Sequence, residues 1–333
     1  MKKIRIPALL LSALLLFAGC SKSEENGDDA PSSEELMSQI SELQSQVESL
    51  KQETVPNISH KSKEDYLLGK DNPAVSQAIA EKEKVMADLP PTILIKGVEY
   101  STELTSLTLS NMDLNDEDIV ELKYMVNLTD LQIYQNNITD ISPLKGLTNL
   151  KNLSLFKNQI TDISPLAGLV NLESLYLRAN NISDISALDG LVNLRVLDLS
   201  ENSISDITPL SELNRLTLLR LNDNKVSSVS ALSGMEAMDR LHLQNNSIED
   251  VAPLIGMTEL TELYIDGNNV STIEPIISMT TLEWLKLGGN PITNIRPAAS
   301  FTALKKLYME GIDVSQEDLE YLTEQLPDCK IVR

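Results

Sequence analysis

The sequence predicts an α/β fold: a right-handed solenoid of 22-residue coils, with a parallel sheet on its concave side and short 3₁₀ turns on its convex side. Asparagine recurs every 22 residues, leucines recur at fixed offsets around it, and a serine or threonine before proline recurs in several units. A unit of this length cannot bury its own leucines, so neighbouring units must stack. The asparagines are Asn136, Asn158, Asn180, Asn202, Asn224, Asn246, Asn268 and Asn290.

The unit that begins at Leu147 shows how one coil is built. Residues 153–155, Leu-Ser-Leu, alternate buried and exposed positions with the period of a half-buried strand. Asn158 falls where the chain leaves this strand, and we expect its buried amide to bind backbone groups of adjoining coils. Ser164 before Pro165 predicts a serine-capped 3₁₀ or α turn on the convex side.

The repeat pattern L-x-x-L-x-L-x-x-N-x-I-x-D-I-x-P-L-x-x-L-x-N covers residues 104–311 and resembles the bacterial internalin-type leucine-rich repeats. This resemblance implies a leucine-rich repeat solenoid and a role in adhesion or surface-receptor binding. It does not transfer a ligand, because the exposed strand residues match no family pattern, and such scaffolds bind whatever their surface residues select.

Residues 1–19 predict a bacterial lipoprotein signal peptide. Three basic residues within positions 2–5 precede an apolar run of about a dozen residues, which is too short to cross a bilayer. The run ends in Leu-Phe-Ala-Gly-Cys at residues 16–20, which resembles a lipobox, with Phe17 as an atypical residue. The resemblance implies cleavage before Cys20 and a lipid on its thiol. The alternative is ordinary cleavage that leaves a free thiol.

Residues 20–60 predict an acidic linker followed by a short stalk. Residues 21–35 are polar and acidic with almost no large apolar groups, which is typical of a disordered linker. An apolar stripe with helical spacing follows and indicates an amphipathic helix. Two or three heptads leave two alternatives open, self-association as a coiled coil or packing on the chain's own solenoid. The stripe comprises Leu36, Ile40, Leu43, Val47 and Leu50.

The two ends of the solenoid require caps, because the first and last coils would otherwise expose their apolar interior. Residues 61–103 predict the N-terminal cap, with a helix that begins at residues 72–73, Asn-Pro, and a hairpin that turns at residues 96–97, Lys-Gly. Residues 104–311 contain the repeats. Residues 312–333 predict the C-terminal cap, a helix with Ser315 as its N-cap and then a short strand.

The residues predict no enzyme, no cofactor and no metal site. His60 and His242 are the two histidines, which excludes a multi-histidine metal site, and the chain has no phosphate loop, dinucleotide motif or Gly-x-Ser-x-Gly. Aspartates in register admit a calcium site, but we expect them to accept backbone N–H bonds at the convex turns. They are Asp140, Asp162, Asp184, Asp206 and Asp250.

The charge of the chain argues against nucleic acid as a partner. The sequence has 27 basic and 49 acidic residues, a net charge of −22, and cleavage before Cys20 would make it more negative. This charge also disfavours adsorption to anionic headgroups, so we expect the lipid to tether repeats that stand away from the membrane. A lipidated Cys20 would leave Cys329 alone, without an intrachain disulfide. The predicted location is the outer face of a bacterial cell membrane.

The strand residues that flank each buried aliphatic pair must face solvent and form the concave surface. Six of them are aromatic, although the chain has one tryptophan, eight tyrosines and three phenylalanines, and scarce exposed rings mark contact surfaces. Basic residues among them predict a partner that presents carboxylates or sulfates. The candidate ligand-binding residues are Tyr134, Phe156, Tyr176, Arg178, Arg220, Arg240, His242, Tyr264, Trp284, Lys286 and Tyr308.

This surface predicts non-catalytic recognition of a protein partner. Glycan binding is the alternative, because rings also stack on sugars. A third possibility is an envelope scaffold that self-associates through residues 36–50. The alternative for the arginines is that they have no binding role. Asp198 would then pair with Arg220 and Arg178 in solvated ion pairs that contribute little to stability. An enzyme would have to rely on His242.

Overall fold

The computed structural model describes residues 68–69 and 71–333, which belong to the unit that spans Lys61–Arg333. The predicted signal peptide, Cys20, the acidic linker, the stripe at residues 36–50 and His60 lie outside the described residues. Within the described part, no helix is both long enough and apolar enough to cross a bilayer.

A parallel sheet of 11 strands runs through the described residues, and each coil contributes one strand paired with the strands of its neighbours. The register is constant, so that Leu131, Leu153 and Leu175 stand side by side. The predicted parallel sheet is confirmed. Its strands are β3 (Ser106–Thr108), β4 (Asp130–Gln132), β5 (Asn152–Ser154), β6 (Ser174–Tyr176), β7 (Val196–Asp198), β8 (Leu218–Arg220), β9 (Arg240–His242), β10 (Glu262–Tyr264), β11 (Trp284–Lys286), β12 (Lys306–Tyr308) and β13 (Lys330–Val332).

Each repeat returns through a 3₁₀ helix on the side opposite the sheet, as the serine and proline pairs predict. The first return is longer than the others and spans Glu117–Tyr124. Together with the sheet, these returns confirm the predicted α/β solenoid. The later returns span Ser142–Leu144, Ser164–Leu166, Ser186–Leu188, Thr208–Leu210, Ser230–Leu232, Ala252–Leu254, Glu274–Ile276 and Arg296–Ser300.

The aspartates in register, rather than the serines, accept hydrogen bonds from the backbone N–H groups at the start of these turns. Asp162 Oδ1 accepts from the backbone N–H of Ser164 at 2.8 Å, and its Oδ2 accepts from the Ser164 hydroxyl at 3.0 Å. The serine cap is a wrong prediction, because serine is the first helical residue and its own N–H is one of the unsatisfied donors. The aspartate prediction is confirmed, with equivalent backbone bonds at Asp140, Asp184, Asp206 and Asp250.

The recurring asparagine binds adjoining coils together where the chain leaves each strand. Asn180 Oδ1 accepts from the Ile160 N–H at 3.1 Å, and its Nδ2 donates to Leu155 O at 3.1 Å and Leu177 O at 3.0 Å. Two of these three partners belong to the preceding coil, as predicted. The same arrangement recurs at Asn158, Asn202, Asn224, Asn246, Asn268 and Asn290.

The residue before each asparagine has left-handed backbone geometry, which turns the chain out of the sheet. Glu201 has φ 54° and Gly267 has φ 66° at equivalent positions. The asparagines up to Asn246 follow non-glycine residues, whereas Asn268 and Asn290 follow glycines, which have no Cβ to oppose this geometry. Gly267 also makes a close contact, because a Cβ would lie 2.4 Å from Asn245 Oδ1.

The N-terminal end consists of a helix and a hairpin that contribute to the aliphatic core. Helix α1 (Pro73–Met86) follows Asn72, whose side chain accepts from the Ala74 N–H at 3.0 Å. Strands β1 (Thr92–Ile95) and β2 (Val98–Ser101) pair as an antiparallel hairpin. Gly168 allows α1 to approach the convex side, because a Cβ there would lie 2.5 Å from Ala74 O. The core residues from this end are Val75, Ile93 and Ile95.

The C-terminal end carries helix α2 (Gln316–Gln325) between β12 and β13. The Ser315 hydroxyl accepts from the Asp318 N–H at 3.0 Å, which is the predicted N-cap. Leu322 and Leu326 are buried in the core. The two ends therefore add apolar side chains to the core beside the terminal coils. The boundaries of the predicted domains stay predictions.

Replacement of Asn180 by alanine should lower the free energy of unfolding by about 3 kcal/mol, because buried backbone groups in two coils would lose their partner. Asn181→Ala is the matched control, since the side chain of Asn181 is exposed, and its expected cost is below about 0.5 kcal/mol. Urea unfolding followed by circular dichroism measures both. Equal losses in the two variants would contradict the role given to the amide.

Candidate functional site

The concave surface is built from three strand-region residues in each coil that alternate with two buried aliphatic residues. In the coil of β5 these are Asn152, Ser154 and Phe156, which flank Leu153 and Leu155. We name them the first, second and third positions. Parallel strands lie about 4.8 Å apart, and their register is constant, so side chains at one position form a lane along the sheet.

All six predicted aromatic residues lie in these lanes and are partly exposed. The partly buried tyrosines that pack against the core are different ones, namely Tyr100, Tyr124 and Tyr321. The concave rings therefore belong to the surface and not to the interior. They are Tyr134 and Phe156 in the third position, Tyr176, Tyr264 and Tyr308 in the second, and Trp284 in the first.

Tyr134 and Phe156 form a stacked pair near the N-terminal end of the surface. Their ring centroids are 4.3 Å apart and their planes differ by 12°. Both residues occupy the third position of adjacent coils, so the repeat register places one ring on the other. One face of each ring is consequently covered by its neighbour.

The second position of four coils near the C-terminal end forms a continuous column of rings and an ammonium group. The His242 and Tyr264 rings are stacked at 4.4 Å, with an interplanar angle of 11°. The Lys286 Nζ lies 4.1 Å from the Tyr264 centroid and 5.3 Å from the Tyr308 centroid. These cation–π contacts contribute about 0.5–1 kcal/mol each at exposed sites.

The three arginines of the predicted site are all ion-paired. Arg178 Nε donates to Glu201 at 2.8 Å, so its partner is Glu201 rather than Asp198 as the ion-pair alternative supposed. The other half of that alternative is confirmed, because Arg220 lies 3.5 Å from Asp198. The predicted basic centre is locally neutralised. The pairs are Arg178–Glu201, Arg220–Asp198 and Arg240–Asp239.

Two lysines on the concave surface differ from the arginines, because neither Lys286 nor Lys306 forms an ion pair with a described carboxylate. Lys306 Nζ instead lies 4.2 Å from the centroid of Trp284. Lys306 also stands beside Lys330 in the strand register. Sequence reasoning included Lys286 and missed Lys306 and Lys330, although both occupy first positions, which the strand pattern could have identified.

Burial changes the acidity of three groups on this surface. It lowers the pKa of His242, whose buried Nε2 lies 3.4 Å from a Glu262 carboxylate oxygen but forms no hydrogen bond with the described residues. Burial also raises the pKa of the Tyr264 hydroxyl and of the Asp266 carboxyl. Asp266 Oδ1 has no hydrogen-bond partner among the described residues, and the Lys286 charge lowers the pKa of Asp266 while the Glu310 charge raises it.

Other features of the described residues lie apart from the concave surface. A cleft of about 490 Å³ lies between α1 and the first two 3₁₀ helices and is lined in part by Val85, Val120 and Pro143. Cys329 is a half-buried free cysteine, and burial raises the pKa of its thiol. No group of three or more His, Cys, Asp or Glu side chains in the described part is placed to hold one metal ion.

Comparisons with known families and sequences identify the repeats. A family profile for leucine-rich repeats in two copies matches residues 148–190, 192–234 and 237–278. A comparison with curated proteins gave no match. The chain therefore contains leucine-rich repeats, in the region where the structure has its regular coils.

Comparisons with solved structures place the solenoid among bacterial and plant repeat proteins. An internalin from Listeria monocytogenes, inlF, shares 26% identity with a TM-score of 0.50, covering 79% of this chain and 89% of that one. Internalin C2 from the same organism shares 26% identity with a TM-score of 0.55, covering 70% and 100%. The plant peptide hormone receptor RGFR1 shares 22% identity with a TM-score of 0.53, covering 58% and 34%, which shows the fold alone.

The pKa shifts predict opposite effects of two Asp→Asn substitutions. Burial raises the pKa of Asp266, so its stabilising contribution is complete below the unfolded value of 3.8 and is lost as pH rises through the folded pKa. Asp266→Asn should therefore raise the free energy of unfolding at pH 7. This gain should shrink as the pH falls, because the native carboxyl becomes protonated.

Asp184→Asn is the control with the opposite sign. A backbone hydrogen bond from Ser186 lowers the pKa of Asp184, so its contribution is present above the unfolded value of 3.8 and is lost as pH falls through the folded pKa. The substitution should lower stability at pH 7. Urea unfolding across pH measures both variants, and a loss at pH 7 for Asp266→Asn as well would show that burial does not control that carboxyl.

Proposed function

We propose that the protein is a non-catalytic binding module that recognises a protein partner through the concave surface of its repeats. A lipid on Cys20 holds it at the outer face of a bacterial cell membrane. The binding role and the anchor are separate parts of the proposal, because different residues carry them.

The observation that carries the binding role is the set of six aromatic residues on the concave surface. Their rings are partly exposed and do not join the core. Aromatic side chains contribute large contact areas and are enriched at the centres of protein interfaces. Together with ion-paired arginines, they give a mixed apolar and polar surface of the kind that protein partners bury.

The geometry of the rings favours a protein over a glycan. A sugar stacks on an open ring face, whereas Tyr134 and Phe156 cover each other. The Tyr264 ring stacks on the His242 ring and also contacts the Lys286 ammonium group. These contacts leave fewer open ring faces for a sugar to stack on, whereas protein side chains can pack against partly covered rings.

The similarity to internalins supports this role. Two Listeria structures share 26% identity over most of the solenoid. The plant receptor RGFR1, similar in fold, was solved in complex with RGF2. A solenoid with this fold thus occurs in a complex with another molecule, and the surface residues of such a scaffold select its partner.

The proposed anchor follows from the N-terminal sequence. A basic segment and a short apolar run lead into a lipobox-like pentapeptide that ends at Cys20. The acidic residues 21–35 follow directly, and their charge would keep the repeats away from anionic headgroups. Two or three acyl chains would make the attachment stable, since a single chain binds only reversibly.

Tyr176→Ser with Trp284→Ser should strongly reduce capture of the partner, because the two substitutions remove one large ring from each half of the concave surface. Partners are captured on immobilised full-length protein from envelope and host extracts and compared by mass spectrometry. Loss of one interface ring commonly weakens binding by about 2 kcal/mol, so the double variant should reduce specific capture more than tenfold.

Ile255→Ser with Ile277→Ser is the matched control for that experiment. Both side chains are exposed apolar groups, 54% and 38% accessible, near the convex returns. The control should capture the same partners as the wild-type chain. If the concave variant captured partners as well as the wild-type chain, the concave surface would not be the binding site. A greater loss of capture in the convex control would indicate a binding site on the convex side.

Cys20→Ser should abolish incorporation of a labelled fatty acid in a bacterial host and release the protein from the membrane fraction. Cys329→Ser is the control, because it removes the other cysteine and should leave labelling unchanged. Gel fluorography and membrane fractionation provide the measurements. Labelling that persists in the Cys20 variant, or disappears in the Cys329 variant, would contradict the anchor.

A further inference from the structure

The first and second positions of β11–β13 form a surface with three lysines and no acidic residue. We call it the lysine–aromatic patch, which comprises Trp284, Lys286, Lys306, Tyr308 and Lys330. Acidic residues outnumber basic ones by 49 to 27 in the whole chain. The charge of the patch is therefore a local departure from the composition of the protein.

The ammonium groups of the patch retain hydrogen-bonding capacity. Lys286 and Lys306 lie against the rings of Tyr264, Tyr308 and Trp284 and form no ion pair with described carboxylates. An ammonium has three N–H donors, and a ring face satisfies them only weakly. A carboxylate that approached from solvent could accept these donors while the aliphatic stems of the lysines stayed on the rings.

We propose that the lysine–aromatic patch binds an acidic peptide segment of the protein partner, with carboxylates on Lys286 and Lys306. This inference rests on the proposed function and specifies the chemistry of the partner. The two lysines belong to adjacent strands about 4.8 Å apart, and an extended peptide places side chains of one face about 7 Å apart. Carboxylates at alternate residues are thus within reach of both flexible lysine side chains.

The third positions next to the patch fix where the acidic segment lies. Asp266 and Glu310 occupy the third positions of β10 and β12, and Gly288 between them adds no side chain. Their negative charges repel a carboxylate in that lane, and burial keeps the pKa of Asp266 raised although the Lys286 ammonium lowers it. The segment is therefore directed over the first and second positions.

The acidity of the rest of the protein makes this contact selective. A chain with net charge −22 repels acidic peptides at long range, so binding requires local pairing with the patch. Acidic peptides should not accumulate on other parts of the surface. This gives a low background for a test with a simple peptide.

The test uses Trp284, which is the only tryptophan of the chain, as an internal reporter. A blocked hexapeptide in which glutamate alternates with alanine is titrated into the full-length protein, and tryptophan fluorescence is recorded. A ligand that draws the Lys306 ammonium group away from the indole ring should change the emission. The same peptide with glutamine in place of glutamate should produce no saturable change.

Lys286→Met with Lys306→Met should weaken binding of the glutamate peptide by about tenfold or more, because two charge-assisted contacts are removed. Lys145→Met with Lys225→Met is the matched control, since it changes net charge equally at residues outside the concave positions. The control should bind like the wild-type chain. Circular dichroism verifies that both double variants are folded.

Three outcomes would overturn the inference: no saturable response to the glutamate peptide, an equal response to the glutamine peptide, or unchanged affinity in the Lys286 and Lys306 variant. Tighter binding of a heparin oligosaccharide would assign the patch to a sulfated glycan instead. Failure of the inference is distinguishable from failure of the proposed function, because the ring variants could still lose partner capture while the lysine variant retained it.

Discussion

The hydrogen bonds of the asparagine amide hold the described structure in register. At the end of each strand the chain turns out of the sheet. Without the asparagine amide, buried backbone groups of two coils would have no hydrogen-bond partners. One amide supplies an acceptor to the preceding coil and donors to carbonyls of both coils, as Asn180 does with Ile160, Leu155 and Leu177. Since an unsatisfied buried group costs about 1–3 kcal/mol, this residue holds the coils from β4 to β12 to one 22-residue length and path.

The concave surface is a consequence of that register. When coils repeat at a constant offset, residues 22 positions apart face each other across one strand spacing, and their side chains interact as lanes. Tyr134 stacks on Phe156 and His242 stacks on Tyr264 for this reason. A ring that has a ring or an ammonium beside it in the lane has less open face on which a ligand can stack. The surface is therefore better suited to a folded or extended polypeptide than to the flat face of a sugar.

Charge is distributed unevenly along the same lanes. Arginines near the centre have carboxylates within reach, and solvated pairs of this kind add little net attraction for a ligand. At the C-terminal end, the lanes place lysines beside rings, so that Lys286 and Lys306 keep their positive charge available. Aromatic contact area is thus present in both halves of the surface, while unpaired positive charge is concentrated near β11–β13.

The sequence by itself determined the repeat, the inward leucines, the asparagine contacts and the outward rings, because each depends on local periodicity and on the need to satisfy buried backbone groups. It identified the aspartates as backbone acceptors at the convex turns but misassigned the cap to serine, since the offset between carboxylate and N–H depends on where the 3₁₀ turn begins. The strand register already paired Arg220 with Asp198, but only the tertiary structure decided the partners of Arg178 and Lys306. Arg178 reaches Glu201 and Lys306 lies on Trp284, because long side chains choose partners by distance and direction between coils, and sequence spacing does not specify these.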